Sequence, residues 1–254
     1  ADTDIFGSTS MLCEVELLTM AAAALKKLKI SNSVILLNNR KILEAQLRSV
    51  GIKDNYKTGA LRSLDKLAKI GVEGVRREFE AQNIPAEQFE ELMKQINING
   101  DNQFKLIQVS QFLANDKVGI EGVEELRQII NFLVESGLDM PIQIDFSLVR
   151  GLDYYTGPIY EIRSTDQKEL GSFAGGGRYD QLIQTLGGQA TSAVGISFGI
   201  ERLIEIIKKR KEYSDIISPV EVFIGYPNQD VLPIALIAAK MFREAGVTTE
   251  IDLT

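Results

Sequence analysis

From about Asp54 to Asp139 one amphipathic helix follows another with no strand signal between them, while the segments on either side alternate β-branched runs with helical spacing. Apolar residues recur at Leu61, Leu64 and Leu67, at Phe89, Leu92, Met93 and Ile96, and at Val123, Leu126, Ile130 and Leu133. That is the period of helices with one buried face. No fixed period of self-similarity relates the segments, which sets a repeat array aside. The pattern therefore restricts the fold to an α/β-type core interrupted by a helical insertion.

Before the insertion, Ser10 is placed to cap a helix whose apolar residues Met11, Val15, Leu18, Ala22 and Leu25 end at Lys26 and Lys27. Ser33 to Leu37 reads as a buried strand, and Ile42, Leu43 and Leu47 as a helix ending near Gly51. After it, Ile142 and Ile144 alternate with polar residues, Ile159 and Ile162 follow Pro158, and the stretch between these strands is a Gly-bounded turn. A short strand around Ser172 to Ala174, a Gly-rich turn, a helix near Tyr179 to Leu186, a strand at Ala193 to Ser197 and a helix from Ile200 to about Arg210 follow. Beyond Ser218-Pro219, Val220 to Gly225, Gln229 to Ala245 and Val247 to Ile251 read as strand, helix and strand, the opening of a βαβ unit. Pro233 falls in the first turn of that helix, where a missing N–H costs nothing.

The 254 residues, 44% hydrophobic and 25% charged, suit one large folded domain or two unequal ones. No apolar run approaches the roughly 20 residues of a membrane span, and Ala1-Asp-Thr-Asp lacks both an initiator Met and a targeting pattern, so a cytoplasmic fragment is expected. One cysteine, Cys13, rules out an internal disulfide, and the absence of His removes every His-based triad, base and zinc ligand. What remains is chemistry run by Arg, carboxylates, Tyr and backbone dipoles, of which phosphate chemistry is the chief example. The net charge of −7 argues against general polyanion binding. Lys57, Arg62, Lys66, Lys69, Arg76 and Arg77 cluster locally and read mostly as a solvated helix surface.

Three stretches concentrate reactive residue types. In Leu148 to Glu161, Arg150 can grip a phosphate with its planar fork, although alone it serves as well in an ion pair. Asp153 can orient it or cap the turn, and Tyr154 and Tyr155 are by themselves more often half-buried core residues than ligand contacts. In Phe173-Ala-Gly-Gly-Gly-Arg-Tyr-Asp180 the glycines permit positive φ and close approach to main chain, without the spacing of a dinucleotide or phosphate loop, and Arg178 has a structural alternative. In Ala193 to Leu203 a strand runs through Gly199 into a helix that presents Arg202, which could equally be a surface ion pair involving Glu201.

Arg150-Gly-Leu-Asp-Tyr-Tyr155 closely resembles the signature of histidyl-tRNA synthetases, which are class II aminoacyl-tRNA synthetases. The resemblance implies that Arg150 meets the α-phosphate of ATP, as the catalytic residue, and that Tyr155 meets the substrate imidazole, leaving Tyr154 structural. Phe173 to Asp180 resembles the family's Gly-Gly-Arg-Tyr-Asp signature, which places Tyr179 and Gly177 at the histidine pocket. Ala193 to Leu203 resembles motif 3, where Gly199 admits adenine against the backbone and Arg202 lies over adenine and reaches the γ-phosphate. Ala1 to Ser8 is similar to the end of motif 2, where Asp4 would pair with the imidazole; otherwise Asp4 is a carboxylate in a turn before a helix. Motif 1 and the motif 2 arginine would precede Ala1.

The implied fold is α+β, an antiparallel sheet flanked by helices, divided into core residues 1–53 and 140–217, a helical insertion at 54–139 that in the family holds the tRNA acceptor stem, and the start of an anticodon-binding domain at 218–254. The implied activity is ATP-dependent, Mg2+-assisted activation of histidine and its transfer to tRNA(His), by a cytoplasmic homodimer without a resident metal. Two alternatives share the family's fold: a noncatalytic regulatory subunit of ATP phosphoribosyltransferase and an uncharged-tRNA sensor joined to a kinase. Retention of the Arg-bearing signatures favours the enzyme.

Overall fold

The computed structural model describes residues 1–150, 154–167, 171–208 and 220–252. They divide into two units between Ile204 and Glu205. The first begins with β1 (Asp2–Phe6), α1 (Leu12–Lys27), β2 (Ser33–Asn39) and α2 (Arg40–Ser49). The helical stretch follows as α3 (Asp54–Leu64), α4 (Leu67–Ala81), α5 (Ala86–Ile96), α6 (Asn102–Phe112) and α7 (Lys117–Glu135). Next come β3 (Ile142–Ile144), β4 (Pro158–Ser164), β5 (Ser172–Arg178), α8 (Leu182–Thr185), β6 (Ala193–Phe198) and α9 (Ile200–Lys208). The second unit contains β7 (Val222–Ile224), α10 (Leu232–Glu244) and β8 (Thr249–Ile251), with β7 and β8 parallel, as a βαβ crossover requires.

The described strands of the first unit form one six-stranded sheet in the order β1-β6-β5-β4-β2-β3. All its pairs are antiparallel except β2 with β3. That parallel pair departs from the all-antiparallel expectation, and its cause is the connection: the chain leaves β2 through α2 to α7 and returns in the same direction, which a crossover allows and a hairpin does not. Alternation along the strands gives the sheet two faces. Ile35, Leu37, Tyr160, Ile162, Val194 and Ile196 are all buried on the face where α1 and α7 pack. The opposite face carries Leu36 and Ile159, and over these strands lies a cluster built from α2 to α5 that includes Leu47, Leu61, Leu64, Phe79, Phe89 and Leu92.

Three local readings change. Asp2 to Phe6 is an edge strand rather than a turn; being exposed at four of its five residues, it has no apolar alternation to announce it. Gly175 to Gly177 lie inside β5 and not in a turn, and none of them has positive φ. Helix α1 begins after Met11, and Ser10 Oγ accepts from the Leu12 N–H at 3.3 Å while its carbonyl accepts from the Cys13 N–H and Arg178 Nη2, each at 3.1 Å. The end of the helix expected to reach Arg210 lies outside the described residues. The basic residues near the start of the helical stretch are largely paired, Lys57 with Glu44, Lys66 with Glu78, and Arg76 with Glu73 and Glu90.

Candidate active site

Three glycines lower the floor of the sheet on one face. Gly175 and Gly177 of β5 and Gly195 of β6 share that face, because Gly177 pairs with Gly195 and Gly175 with Ser197. A Cβ on Gly175 would run into the Arg150 guanidinium, one on Gly177 would lie 2.9 Å from Tyr155 Cδ1, and one on Gly195 would strike the Asp4 carboxylate. The residues expected to act together thus lie directly on the glycine backbone, where at Gly177 the Pro158 carbonyl would also crowd that Cβ at 2.6 Å.

Arg150 reaches this floor because the segment before it is tied down. Asn38, buried at the end of β2, donates through Nδ2 to the carbonyls of Phe146 at 3.3 Å and Leu148 at 3.0 Å. Leu148 and Val149 are buried in the cluster over β2 and β4. Arg150 Nη1 then meets Glu161 Oε1 at 3.2 Å, and Glu161 Oε2 accepts from Arg163 Nη2 at 2.7 Å. Glu161 was a missed partner, although its spacing of two from Arg163 in a strand already put both on one face. Asp153, expected to orient Arg150, lies outside the described residues.

The wall continues through aromatic rings. The Arg150 Cζ sits 5.9 Å from the centroid of the Tyr155 ring, within cation–π range. Tyr155 is 6% exposed and Tyr154 is half-buried, their rings tilted with centroids 4.7 Å apart. Tyr154 meets Tyr179 edge-on at 5.8 Å. The Tyr179 hydroxyl donates to Asp4 Oδ1. Burial, and then the hydrogen bond to Tyr155, push the Tyr154 hydroxyl up to about 12. Burial, followed by the bond to the Asp4 carboxylate, raises Tyr179 as well. Both phenols are neutral hydrogen-bonding groups at neutral pH.

Gly199 and Arg202 lie at the other end of β5. The Gly199 N–H donates to Phe173 O at 2.9 Å, and Arg202 Nη1 donates to Ser172 O. A Cβ on Gly199 would find only ordinary contacts, the nearest being Arg202 Cδ at 3.6 Å. Gly199 therefore lies in van der Waals reach of a cation, and a Cβ there would touch both Arg202 and the Phe173 carbonyl. Along β5 the order is Arg202 at Ser172, Arg150 at Gly175, Tyr155 at Gly177, and then Tyr179 with Asp4. From Ser172 to Tyr179 is about 23 Å at roughly 3.3 Å per residue. Among the described residues no three His, Cys, Asp or Glu side chains gather to hold a metal, and no helix is long and apolar enough to cross a membrane.

A mixed, mainly antiparallel sheet flanked by helices, with one arginine between β3 and β4 and another at the strand-to-helix joint after β6, is the fold of class II aminoacyl-tRNA synthetases. The histidyl-tRNA synthetase of Nostoc superposes with a TM-score of 0.76 at 29% identity, over 100% of this chain and 60% of that one. The family model for histidyl-tRNA synthetase matches residues 3–203, and the chain belongs to that family. Its sequence is 36% identical to a histidine–tRNA ligase of Phocaeicola vulgatus and 35% identical to that of Porphyromonas gingivalis, each over 252 residues, 98% of this chain and 55% of the relative. The chain thus spans about half the length of the curated relatives it matches. A protein of Bacillus halodurans described as an ATP phosphoribosyltransferase regulatory subunit/histidyl-tRNA synthetase shares the fold, with a TM-score of 0.69 at 19% identity over 99% of this chain and 62% of that one.

Proposed function

We propose that the chain carries the adenylate-forming site of a histidine–tRNA ligase, which joins histidine to AMP with release of pyrophosphate and passes the histidyl group to tRNA(His). The observation that supports this reading is the linear order along β5: a cation beside a glycine at one end, a second cation in the middle, and a carboxylate with tyrosine hydroxyls at the other. An ATP laid over Gly199 and Arg202 puts its α-phosphate toward Arg150, and a histidine whose imidazole meets Asp4, Tyr155 and Tyr179 near Gly177 brings its carboxylate to the same point. The carboxylate oxygen bonds to the α-phosphorus as the bond to pyrophosphate breaks, and no protein base is needed. Catalysis is then positioning plus charge neutralisation, which suits a chain without histidine. Mg2+ would ride on the triphosphate, as it commonly does where substrate phosphates supply its ligands.

The same reading assigns residues 54–139 to an insertion that touches the tRNA acceptor stem and residues 218–254 to the start of an anticodon-binding domain, in a cytoplasmic homodimer. Arg150→Ala should lower histidine-dependent ATP–pyrophosphate exchange by about 2–4 kcal/mol of transition-state stabilisation, the scale of a lost oxyanion donor. Histidine affinity should change little. Unchanged exchange would remove Arg150 from the mechanism, while histidine binding without any exchange in the parent protein would favour the regulatory alternative.

A further inference from the structure

Arg178 and Glu14 form a buried ion pair directly beneath the candidate histidine pocket. Arg178 is 3% exposed and Glu14 0%. All five guanidinium N–H groups have acceptors: Nε to Glu14 Oε1 at 2.7 Å, Nη2 to Glu14 Oε2 at 2.8 Å and to Ser10 O at 3.1 Å, Nη1 to Ser8 O at 3.0 Å and to Asp180 Oδ1 at 3.4 Å. Three segments meet on this one side chain: the loop after β1, the first turn of α1, and the turn after β5. Asp180 extends the link, since its Oδ1 also accepts from the Ala193 N–H at 3.1 Å and its own N–H donates to Thr156 Oγ1 at 3.1 Å. The Thr156 N–H donates to Arg178 O at 2.8 Å.

We propose that Arg178, clamped by Glu14, is a positioning residue that sets the spacing of Asp4, Tyr155 and Tyr179 and so tunes histidine recognition without touching the ligand. Alternation along the strand aims Arg178 away from the site and Tyr179 into it, so the guanidinium anchors the residue next to Tyr179 from behind. Thr156, the residue after Tyr155, is held by the Arg178 carbonyl and the Asp180 N–H. The bonds of the guanidinium to Glu14, to Asp180 and to the carbonyls of Ser8 and Ser10, four and six residues beyond Asp4, hold the loop after β1 and the turn after β5. Only a planar fork with five donors reaches all these acceptors at once; a lysine offers three from a single point. Burial raises the Glu14 carboxyl against the pull of Arg178, while Glu14 and Asp180 hold Arg178 charged despite its burial.

The inference rests on the histidine reading above, and the experiment separates the two. Histidine and ATP affinities are measured by calorimetry on the parent protein, Arg178→Lys, Tyr179→Phe and the double variant, with thermal unfolding as a fold check. Arg178→Lys should unfold cooperatively, lose more than tenfold in histidine affinity and keep ATP affinity within about twofold. Its effect should also be smaller in the Tyr179→Phe background, because part of it acts through that hydroxyl. Equal loss for both ligands, unchanged histidine affinity, or full additivity with Tyr179→Phe would each overturn the proposal. If Arg178→Lys fails to fold, Glu14→Gln, which keeps the shape and frees one edge of the fork, should show the same selective loss in smaller degree. Tyrosine labelled with 13C at the ring carbon bearing the hydroxyl, with the Tyr179 resonance identified from Tyr179→Phe, should show that resonance moving in either variant. Should the parent protein bind no histidine, that reading falls, and a Tyr179 resonance unmoved by loss of the clamp overturns the positioning role independently.

Discussion

The neighbouring glycines of β5 differ in what their missing side chains make room for. A Cβ on Gly175 would meet the end of a long side chain, Arg150, with backbone no nearer than Tyr160 O at 3.1 Å. On Gly176 it would meet Gly195 O, which is backbone in the paired strand and has nowhere to go. Gly176→Ala should therefore destabilise the fold by about 1–3 kcal/mol, as overpacking does. Gly175→Ala should leave the thermal midpoint nearly unchanged and instead displace Arg150, lowering pyrophosphate exchange toward the Arg150→Ala level. Denaturant unfolding and exchange assays on both variants check this, and equal effects on both readouts would show that the two glycines do the same job. The sequence singled out Arg150, Tyr155, Tyr179 and Asp4 through family signatures, since their residue types alone read as well as ion-pair, core or turn residues. It did not disclose Asn38, Glu161 or Glu14, since each acts on a partner at least eleven residues away and none has a local pattern that names that partner.

Helix α7 shows how an element is fixed by its ends. Asp116 caps it, accepting from the Gly119 N–H at 2.9 Å, and also takes Arg48 Nε of α2 at 2.8 Å. The hydrogen bond from Arg48, foremost among several causes, holds the Asp116 carboxyl below its ordinary value of 3.8. The unfolded chain therefore takes up this proton first as pH falls, so the stabilisation is complete above pH 3.8 and is lost as pH drops through the lower folded value. Asp116→Ala should cost about 1 kcal/mol near neutral pH, with the gap between parent and variant closing in acid. Urea midpoints at pH 6 and pH 3 measure it, and a gap constant with pH would mean that the carboxylate charge contributes nothing. The helices of the insertion were legible because their apolar period is local. β1 and the glycine end of β5 were not, because an exposed edge and a side-chain-free strand carry no period, and only the neighbouring strands make them strands. The outer edge of β3 is occupied in a way no pattern reveals: Asn102 Nδ2 donates to Ile142 O and its Oδ1 accepts from the Ile144 N–H, each at 2.8 Å, while Lys105 Nζ donates to Ile144 O at 2.7 Å. Side chains of α6 thus complete the hydrogen bonding of an edge strand that would otherwise invite another chain.

At the scale of the first unit, the helical stretch and the site share one core. Leu61 and Leu64 of α3, Val75 and Phe79 of α4, and Phe89 and Leu92 of α5 belong to the same buried cluster as Leu36 of β2, Ile159 of β4, Leu148 and Val149 just before Arg150, and Tyr155. The sequence showed which faces of these helices turn inward, but not what they face, because the members of the cluster run from residue 36 to residue 159 and meet only once the sheet has formed. A helical stretch that buried its own separate core could melt alone, whereas this one lends its core to the sheet and to the tyrosine of the site. Leu64 is 2% exposed, and Leu64→Ala should cost about 2–5 kcal/mol, the range for a buried leucine that leaves a cavity. The loss should appear as one cooperative transition, with amide exchange accelerated in β2 and β4 together with α3 to α5. Histidine affinity and pyrophosphate exchange should both fall, since Tyr155 and the Leu148 and Val149 that precede Arg150 sit in the disturbed cluster. Exchange accelerated in the helices alone, with β2 and β4 protected as before, would show that the helical stretch is an independent folding unit and that the shared cluster does not couple it to the site.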